Sequence, residues 1–80
     1  PVVRYVAKNI KWDTDGNREA FDSLPQNVIL PCKFSKEKYE DENGVFGKAE
    51  MIEMQDDISD WLSNEYGFCH DGFELTQKEV

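Results

Sequence analysis

Residues 49–66 read AEMIEMQDDISDWLSNEY, and this stretch decides the fold because it carries the clearest periodicity in the sequence. At about 100° per residue, six of its large apolar side chains fall within an arc of roughly 140° on a helical wheel. They are Met51, Met54, Ile58, Trp61, Leu62 and Tyr66. Gly67 then follows, a residue type that commonly ends helices. The pattern predicts an amphipathic helix over 49–66, although Asp56 or Asp57 would also suit the N-cap of a shorter helix.

Two segments before this helix have the composition of β-strands. Residues 2–12 are rich in β-branched and aromatic side chains and lack glycine, which predicts a first strand. Residues 27–32 predict a short second strand, with Val28, Leu30 and Cys32 on one side. A proline near its end favours the edge of a sheet, because proline has no N–H to donate to a neighbouring strand.

A third strand is predicted after the helix, over 68–76. Alternation places Cys69, Phe73 and Leu75 on one side of it, and Gly72 marks a bulge. The element order is therefore β-β-α-β. The expected fold class is α+β, with a three-stranded antiparallel sheet in the order 2-1-3 and the helix packed on one face. The second face of that sheet is left open, either to solvent or to a partner.

The chain of 80 residues is expected to form one small domain over 1–80, with a polar excursion at about 33–48 that does not build the core. Aromatic side chains in that excursion, Phe34, Tyr39 and Phe46, are expected to hold it down. Residues 13–17 read DTDGN, and this concentration of Asp, Asn and Gly predicts a turn that its own side chains stabilise.

Composition excludes several classes of protein. With 39% hydrophobic residues and 12% aromatic residues, global disorder is not expected. Seventeen acidic against nine basic side chains give a net charge of −8, which disfavours direct binding to nucleic acid or to anionic membranes. No apolar run approaches the ~18 residues of a membrane span, and the N-terminal segment does not resemble a signal peptide. Two cysteines are too few for a secreted disulfide scaffold, so we expect free thiols in a cytoplasm.

Several short motifs resemble those of a group of very small, uncharacterised bacterial and phage proteins. The motifs are W-D-T-D-G at 12–16, L-P at 24–25, and W-L-S-x-x-Y-G-F-C-H-x-G-F at 61–73. Members of that group have a strand that ends in the first motif, a short L-P strand, a helix that ends in the third motif and a final strand. Trp61 stands where Tyr is usual, and the segment at 33–48 is longer than in short members. The resemblance implies the same element order and a bacterial cytoplasmic setting, and it implies no activity.

The turn at 13–17 has part of the pattern of a calcium loop. Four side chains occupy positions 1, 3, 5 and 7 of such a loop: Asp13, Asp15, Asn17 and Glu19. Position 6 requires glycine and position 12 a bidentate acid, whereas Arg18 and Leu24 stand there. We therefore expect no calcium site.

Cys32, Cys69 and His70 offer ligands for zinc, or a nucleophile with its base. Adjacent residues of a strand point to opposite faces, so Cys69 and His70 would not converge. No C-x-x-C pair is present, and no third residue is evident that would orient the histidine. The expectation is two buried structural thiols, an exposed histidine, and no catalytic residue, metal or cofactor.

Charge is unevenly distributed along the chain. Residues 1–39 hold seven basic and five acidic groups, whereas residues 40–77 hold eleven acidic groups and only Lys48. On the predicted helix, five carboxylates gather on or beside one stripe: Glu50, Glu53, Asp56, Asp57 and Asp60. Their mutual repulsion costs the unbound helix about 1 to 2 kcal/mol, which a basic neighbour would relieve.

These observations favour a non-catalytic protein-interaction module that binds a basic protein surface through the acidic helix face, or a partner through the open sheet face. One alternative is a phage-type inhibitor whose carboxylates imitate nucleic-acid phosphates and occupy a DNA- or RNA-binding protein. A second alternative is a metal- or thiol-dependent activity at Cys32, Cys69 and His70. A homodimer through the open sheet face is also compatible with the pattern.

Overall fold

The computed structural model describes residues 2–79. Within that range the helices and strands are, in chain order, β1 (Val3–Lys8), β2 (Trp12–Asp13), α1 (Arg18–Ser23), β3 (Val28–Ile29), α2 (Lys36–Tyr39), α3 (Lys48–Tyr66), β4 (Cys69–His70) and β5 (Glu74–Glu79). The elements form an α+β structure, as predicted.

The main sheet is three-stranded and antiparallel, with β1 in the centre between β3 and β5. Its register places Val6 beside both Ile29 and Thr76. The predicted order 2-1-3 is confirmed, because β3 lies within the predicted second strand and β5 continues the predicted third. A second, two-stranded sheet pairs β2 with β4.

The core lies between α3 and one face of the main sheet. Met54, Ile58 and Leu62 of α3 are completely buried. Because these residues are spaced four apart, they form one stripe along the helix, and the predicted periodicity is confirmed. The strands and loops add the other buried members of this cluster: Tyr5, Ala7, Ile10, Trp12, Val28, Leu30 and Phe34. Three apolar residues of α3 are half-buried at the margin of the stripe: Met51, Trp61 and Tyr66.

Both ends of α3 are fixed by local hydrogen bonds. At the N-terminus, Glu50 Oε1 accepts a hydrogen bond from the backbone N–H of Gly47 at 2.9 Å. At the C-terminus, Gly67 adopts a φ of 79° and its N–H donates to the carbonyl of Ser63 at 2.8 Å. The helix therefore starts at Lys48, close to the expected start, and neither Asp56 nor Asp57 acts as an N-cap.

The prediction of a single strand over 2–12 is wrong. β1 ends at Lys8, and Asn9 follows with a φ of 51°, a left-handed conformation that Asn tolerates better than most residues. This break redirects the chain, so that Trp12 leaves the main sheet and pairs with His70 in the second one.

The last strand, expected over 68–76, is likewise divided. β4 ends at His70 and β5 begins only at Glu74, with Gly72 at a φ of 149° between them. Between β4 and β5 the backbone pairs with the residues that follow β1. Lys11 N–H donates to the carbonyl of Gly72 at 2.9 Å. Gly72, predicted to mark a bulge, therefore lies where the chain crosses from one sheet to the other.

The second strand is shorter than the expected 27–32. β3 spans Val28–Ile29, and the next N–H, that of Leu30, still donates to the carbonyl of Tyr5 at 2.9 Å. The carbonyl of Leu30 accepts a hydrogen bond from Arg4 Nε at 3.1 Å, and within residues 2–79 no backbone pairing with β1 continues past Leu30. Cys32 is exposed and does not join Val28 and Leu30 on the core side.

Two short helices, α1 and α2, were not part of the predicted β-β-α-β order. In α1, Asn17 Oδ1 accepts a hydrogen bond from Ala20 N–H at 3.1 Å, so the turn that precedes α1 also caps it. The segment at 33–48 contains α2, and just before it Phe34 is only 4% exposed. That segment therefore does help to build the core, contrary to expectation. Tyr39 and Phe46 pack against the core half-buried, as predicted.

Candidate functional site

The acidic face of α3 consists of Glu50, Glu53, Asp56, Asp57 and Asp60. All five carboxylates are helical, and four of them are exposed. Glu50 is half-buried, and its carboxylate is already engaged by Gly47 at the helix N-terminus. Glu50 therefore acts as a capping residue, and the exposed part of the acidic face runs from Glu53 to Asp60.

Most of these carboxylates have no partner within residues 2–79. The ion pair found in that range joins Arg18 to Asp22 on α1 at 3.7 Å, away from α3. Within the same range, Glu53, Asp56 and Asp60 take part in no ion pair and no side-chain hydrogen bond. Since α3 contains no basic residue after Lys48, the repulsion among these carboxylates is not relieved internally.

Asp57 differs from its neighbours because α2 supplies it with a hydrogen-bond donor. The hydroxyl of Tyr39 donates to Asp57 Oδ2 at 2.7 Å. Burial raises the pKa of Tyr39 to about 12, and the hydrogen bond to Asp57 and the charges of Asp57 and Glu53 add to the effect. A negative tyrosinate beside these carboxylates is disfavoured, so the pKa of Tyr39 responds to the negative potential of the acidic face.

We expect Tyr39 to ionise near pH 12, and the Asp57→Asn variant to lower its pKa towards the ordinary value of 10.0 without reaching it, because burial remains. The folded state holds this proton more tightly than the unfolded chain. The resulting stabilisation is complete below about pH 10 and is lost as the pH rises to about 12.

The ultraviolet absorbance of tyrosinate measures this titration, and a Tyr39→Phe variant assigns the phase to Tyr39. Glu42→Gln is the control, since Glu42 does not contribute to the shift. An unchanged titration in Asp57→Asn would show that the acidic face does not act on Tyr39.

The predicted exposures of the two cysteines and of His70 are wrong. Cys32 and Cys69 are exposed free thiols, not buried ones, and His70 is half-buried, not exposed. The reason is register: His70 pairs with the buried Trp12, while Cys69 pairs with the exposed Asp13. Over residues 2–79, no group of three or more His, Cys, Asp or Glu side chains is placed to hold a metal ion.

One contact of His70 was not predicted. Its Nε2 lies 3.0 Å from Ser59 Oγ on α3, an arrangement that resembles a nucleophile and its base. Within residues 2–79 the other ring nitrogen, Nδ1, is buried without a hydrogen-bond partner. In one tautomer Nε2–H donates to Ser59, and in the other the Ser59 hydroxyl donates to Nε2; Nδ1 is unpaired in both. Only the second tautomer places a basic nitrogen against the hydroxyl. Sequence could not reveal this pair, because its members lie eleven residues apart on different elements.

The turn at 13–17 borders a shallow concavity of about 550 Å³, which also includes Arg18, Phe21 and Asp71. Two side chains of the turn form hydrogen bonds within it. Asp13 Oδ1 accepts from Asp15 N–H at 3.1 Å, and Thr14 Oγ1 donates to the carbonyl of Asn17 at 2.8 Å. The predicted self-stabilised turn is confirmed.

No helix within residues 2–79 combines the length and the apolar character needed to cross a membrane. Comparisons of the chain with family models, with curated proteins and with solved structures find no match. The resemblance to small bacterial and phage proteins therefore stays a prediction.

Proposed function

We propose that the protein is a non-catalytic interaction module of the bacterial cytoplasm, and that the acidic face of α3 binds a basic surface on another protein. One observation carries the proposal: Glu53, Asp56 and Asp60 lie on one rigid helix with no partner in residues 2–79. Cations from a partner would both neutralise these groups and remove their mutual repulsion.

The expected strength of such a contact is modest. Exposed ion pairs contribute about 0.2 to 1 kcal/mol each, so three pairs contribute roughly 1 to 3 kcal/mol, and salt weakens them. An apolar contact is available beside the carboxylates, because Ile52 is 55% exposed and lies one helical turn before Asp56. The helix is already folded, so binding does not have to order it.

The test uses the triple variant Glu53→Gln, Asp56→Asn, Asp60→Asn. Asp57 is left in place because it holds Tyr39. With an arginine-rich peptide as the probe, we expect the affinity at low salt to fall about tenfold, which corresponds to about 1.4 kcal/mol. Backbone NMR shifts in the original protein should concentrate on α3.

The matched control is Glu19→Gln, Glu40→Gln, Glu42→Gln, which makes the same change in net charge at three exposed residues outside α3. If the control weakens binding as much as the α3 variant does, only overall charge matters and the proposal fails. The same three proteins are then used to capture partners from a bacterial lysate. A partner retained by the original protein and the control, and lost by the α3 variant, would support the proposal.

A second candidate is the inhibitor that imitates nucleic acid, and a spacing favours it. Glu53, Asp56, Asp57 and Asp60 are four carboxylates separated from first to last by seven residue steps, about 10.5 Å of helix axis divided into three intervals. That is one negative charge per ~3.5 Å, close to the ~3.4 Å per phosphate of one DNA strand. Duplex DNA added to the captured complex distinguishes the two candidates. It releases a DNA-binding partner, and it leaves a partner with an unrelated basic surface in place.

A further inference from the structure

The face of the main sheet turned away from α3 carries its own set of side chains. Strand alternation puts Tyr5 and Ala7 in the core, so the residues between and beside them point to the other side. The register then completes this surface, which we call the open sheet face: Arg4, Val6 and Lys8 of β1, Ile29 of β3, and Glu74, Thr76 and Lys78 of β5.

The open sheet face is positively charged, although the chain as a whole carries −8. Arg4 and Lys78 lie directly opposite each other on adjacent strands, which is an unfavourable like-charge pair. Lys8 lies opposite Glu74, a carboxylate that accepts a hydrogen bond from Asn9, so three cations stand against one carboxylate on this face. No cation of this face forms an ion pair with a carboxylate of residues 2–79.

Between these cations lies an apolar floor. Val6 is only 5% exposed and yet does not belong to the core cluster, so its neighbours on the open sheet face cover it. Ile29 is 46% exposed beside it. A concavity of about 510 Å³ lies over this floor, and Lys8, Thr76 and Lys78 also line it.

We propose that the open sheet face docks an acidic amphipathic helix of a second protein. Three strands at ~4.8 Å spacing are about 10 Å wide, which matches the diameter of one helix with its side chains. The apolar ridge of that helix covers Ile29 and packs on the side chains that already cover Val6. Its flanking carboxylates approach Lys8, Lys78 and Arg4, and relieve the repulsion between the last two.

Other occupants fit this surface less well. A face-to-face homodimer would oppose two sets of cations. The α3 helix of a second copy presents carboxylates, but its apolar stripe is already used in its own core. Single-stranded nucleic acid binds by stacking on aromatic rings, and the open sheet face carries none within residues 2–79.

The proposal goes beyond the function of the acidic face, because it uses different residues on the opposite side of the sheet. A protein with both surfaces would bridge a basic partner and an acidic one.

The experiment uses a synthetic helix-forming peptide of leucine and glutamate with the leucines along one face, and measures binding by NMR. We expect shifts on β1, β3 and β5, and an affinity about tenfold lower for the double variant Lys8→Gln, Lys78→Gln. The matched control is Lys36→Gln, Lys38→Gln, which removes two exposed cations from α2 and should leave the affinity unchanged. Thermal unfolding verifies that both variants are folded.

Four results would overturn the proposal. Equal weakening by the two double variants, or equal binding of a peptide with the same composition in scrambled order, would reduce the effect to net charge. Tighter binding of a single-stranded oligonucleotide at the same residues would assign the face to nucleic acid. A dimer in sedimentation equilibrium that the Lys8→Gln, Lys78→Gln variant abolishes would assign it to a second copy. None of these results bears on Glu53, Asp56 and Asp60.

Discussion

Replacing Ile58 with alanine is expected to lower the free energy of unfolding by about 2 to 5 kcal/mol. Ile58 is completely buried in the middle of the stripe that joins α3 to the sheet, between Met54 and Leu62. The substitution removes apolar surface from the core and leaves a cavity that its neighbours fill only in part. For a domain of this length, whose total stability is about 4 to 12 kcal/mol, that loss is a large share.

Urea denaturation followed by circular dichroism measures this effect. Ile52→Ala is the matched control, because it makes the same chemical change on the same helix at a side chain that is 55% exposed. It should alter the stability by no more than about 0.5 kcal/mol. Equal effects of the two substitutions would mean that α3 does not bury this stripe against the sheet.

Replacing Trp12 with alanine is expected to cost about 3 to 5 kcal/mol. Trp12 is 5% exposed, and its indole N–H donates to the carbonyl of Pro25 at 2.8 Å. Its ring meets Tyr66 edge-on at a centroid distance of 5.4 Å, and meets His70 at 5.9 Å. One side chain thus joins β2, the end of α3, β4 and the loop before β3.

A Trp12→Phe variant separates packing from hydrogen bonding. It keeps an aromatic ring and removes the N–H, so we expect an intermediate loss of about 1 to 3 kcal/mol. The same urea titration measures both variants. A Phe variant as unstable as the Ala variant would show that the bond to Pro25, and not the ring contacts, accounts for the stabilisation.

The helix and the strand order were predictable because they depend on local patterns. The apolar spacing from Met51 to Tyr66 defines a helix whatever surrounds it, and Gly67 marks its end. The antiparallel strand order 2-1-3 followed from the connection between the second and third predicted strands, which passes through the helix and crosses the first strand. Both signals are contained in the sequence itself.

The division into two sheets was not predictable from such patterns. Residues 2–12 have strand composition throughout, and the break depends on one residue, Asn9, in a left-handed conformation. Asn adopts that conformation only in some contexts, here with Gly72 pairing to Lys11 across the break. The exposure of Cys69 depended on the same break, because it sets which face of β4 meets Trp12.

The two candidate surfaces differ in the same way. The acidic face was predictable because its residues lie three and four apart on one helix. The open sheet face was not, because Arg4 and Lys78 are far apart in sequence and come together only through the register of β1 and β5. If the register of β5 against β1 were shifted by one residue, either Arg4 or Lys78 would face the core.

The separation of charge across the sheet gives the molecule an electric dipole moment. Carboxylates stand on the outer side of α3 and cations on the far side of the sheet, in a molecule whose shortest extent is 17 Å. Beyond the Debye length of ~8 Å in physiological salt the field of this dipole is largely screened. Within that distance the dipole orients the molecule relative to a charged partner before contact, so that the partner meets the complementary side first.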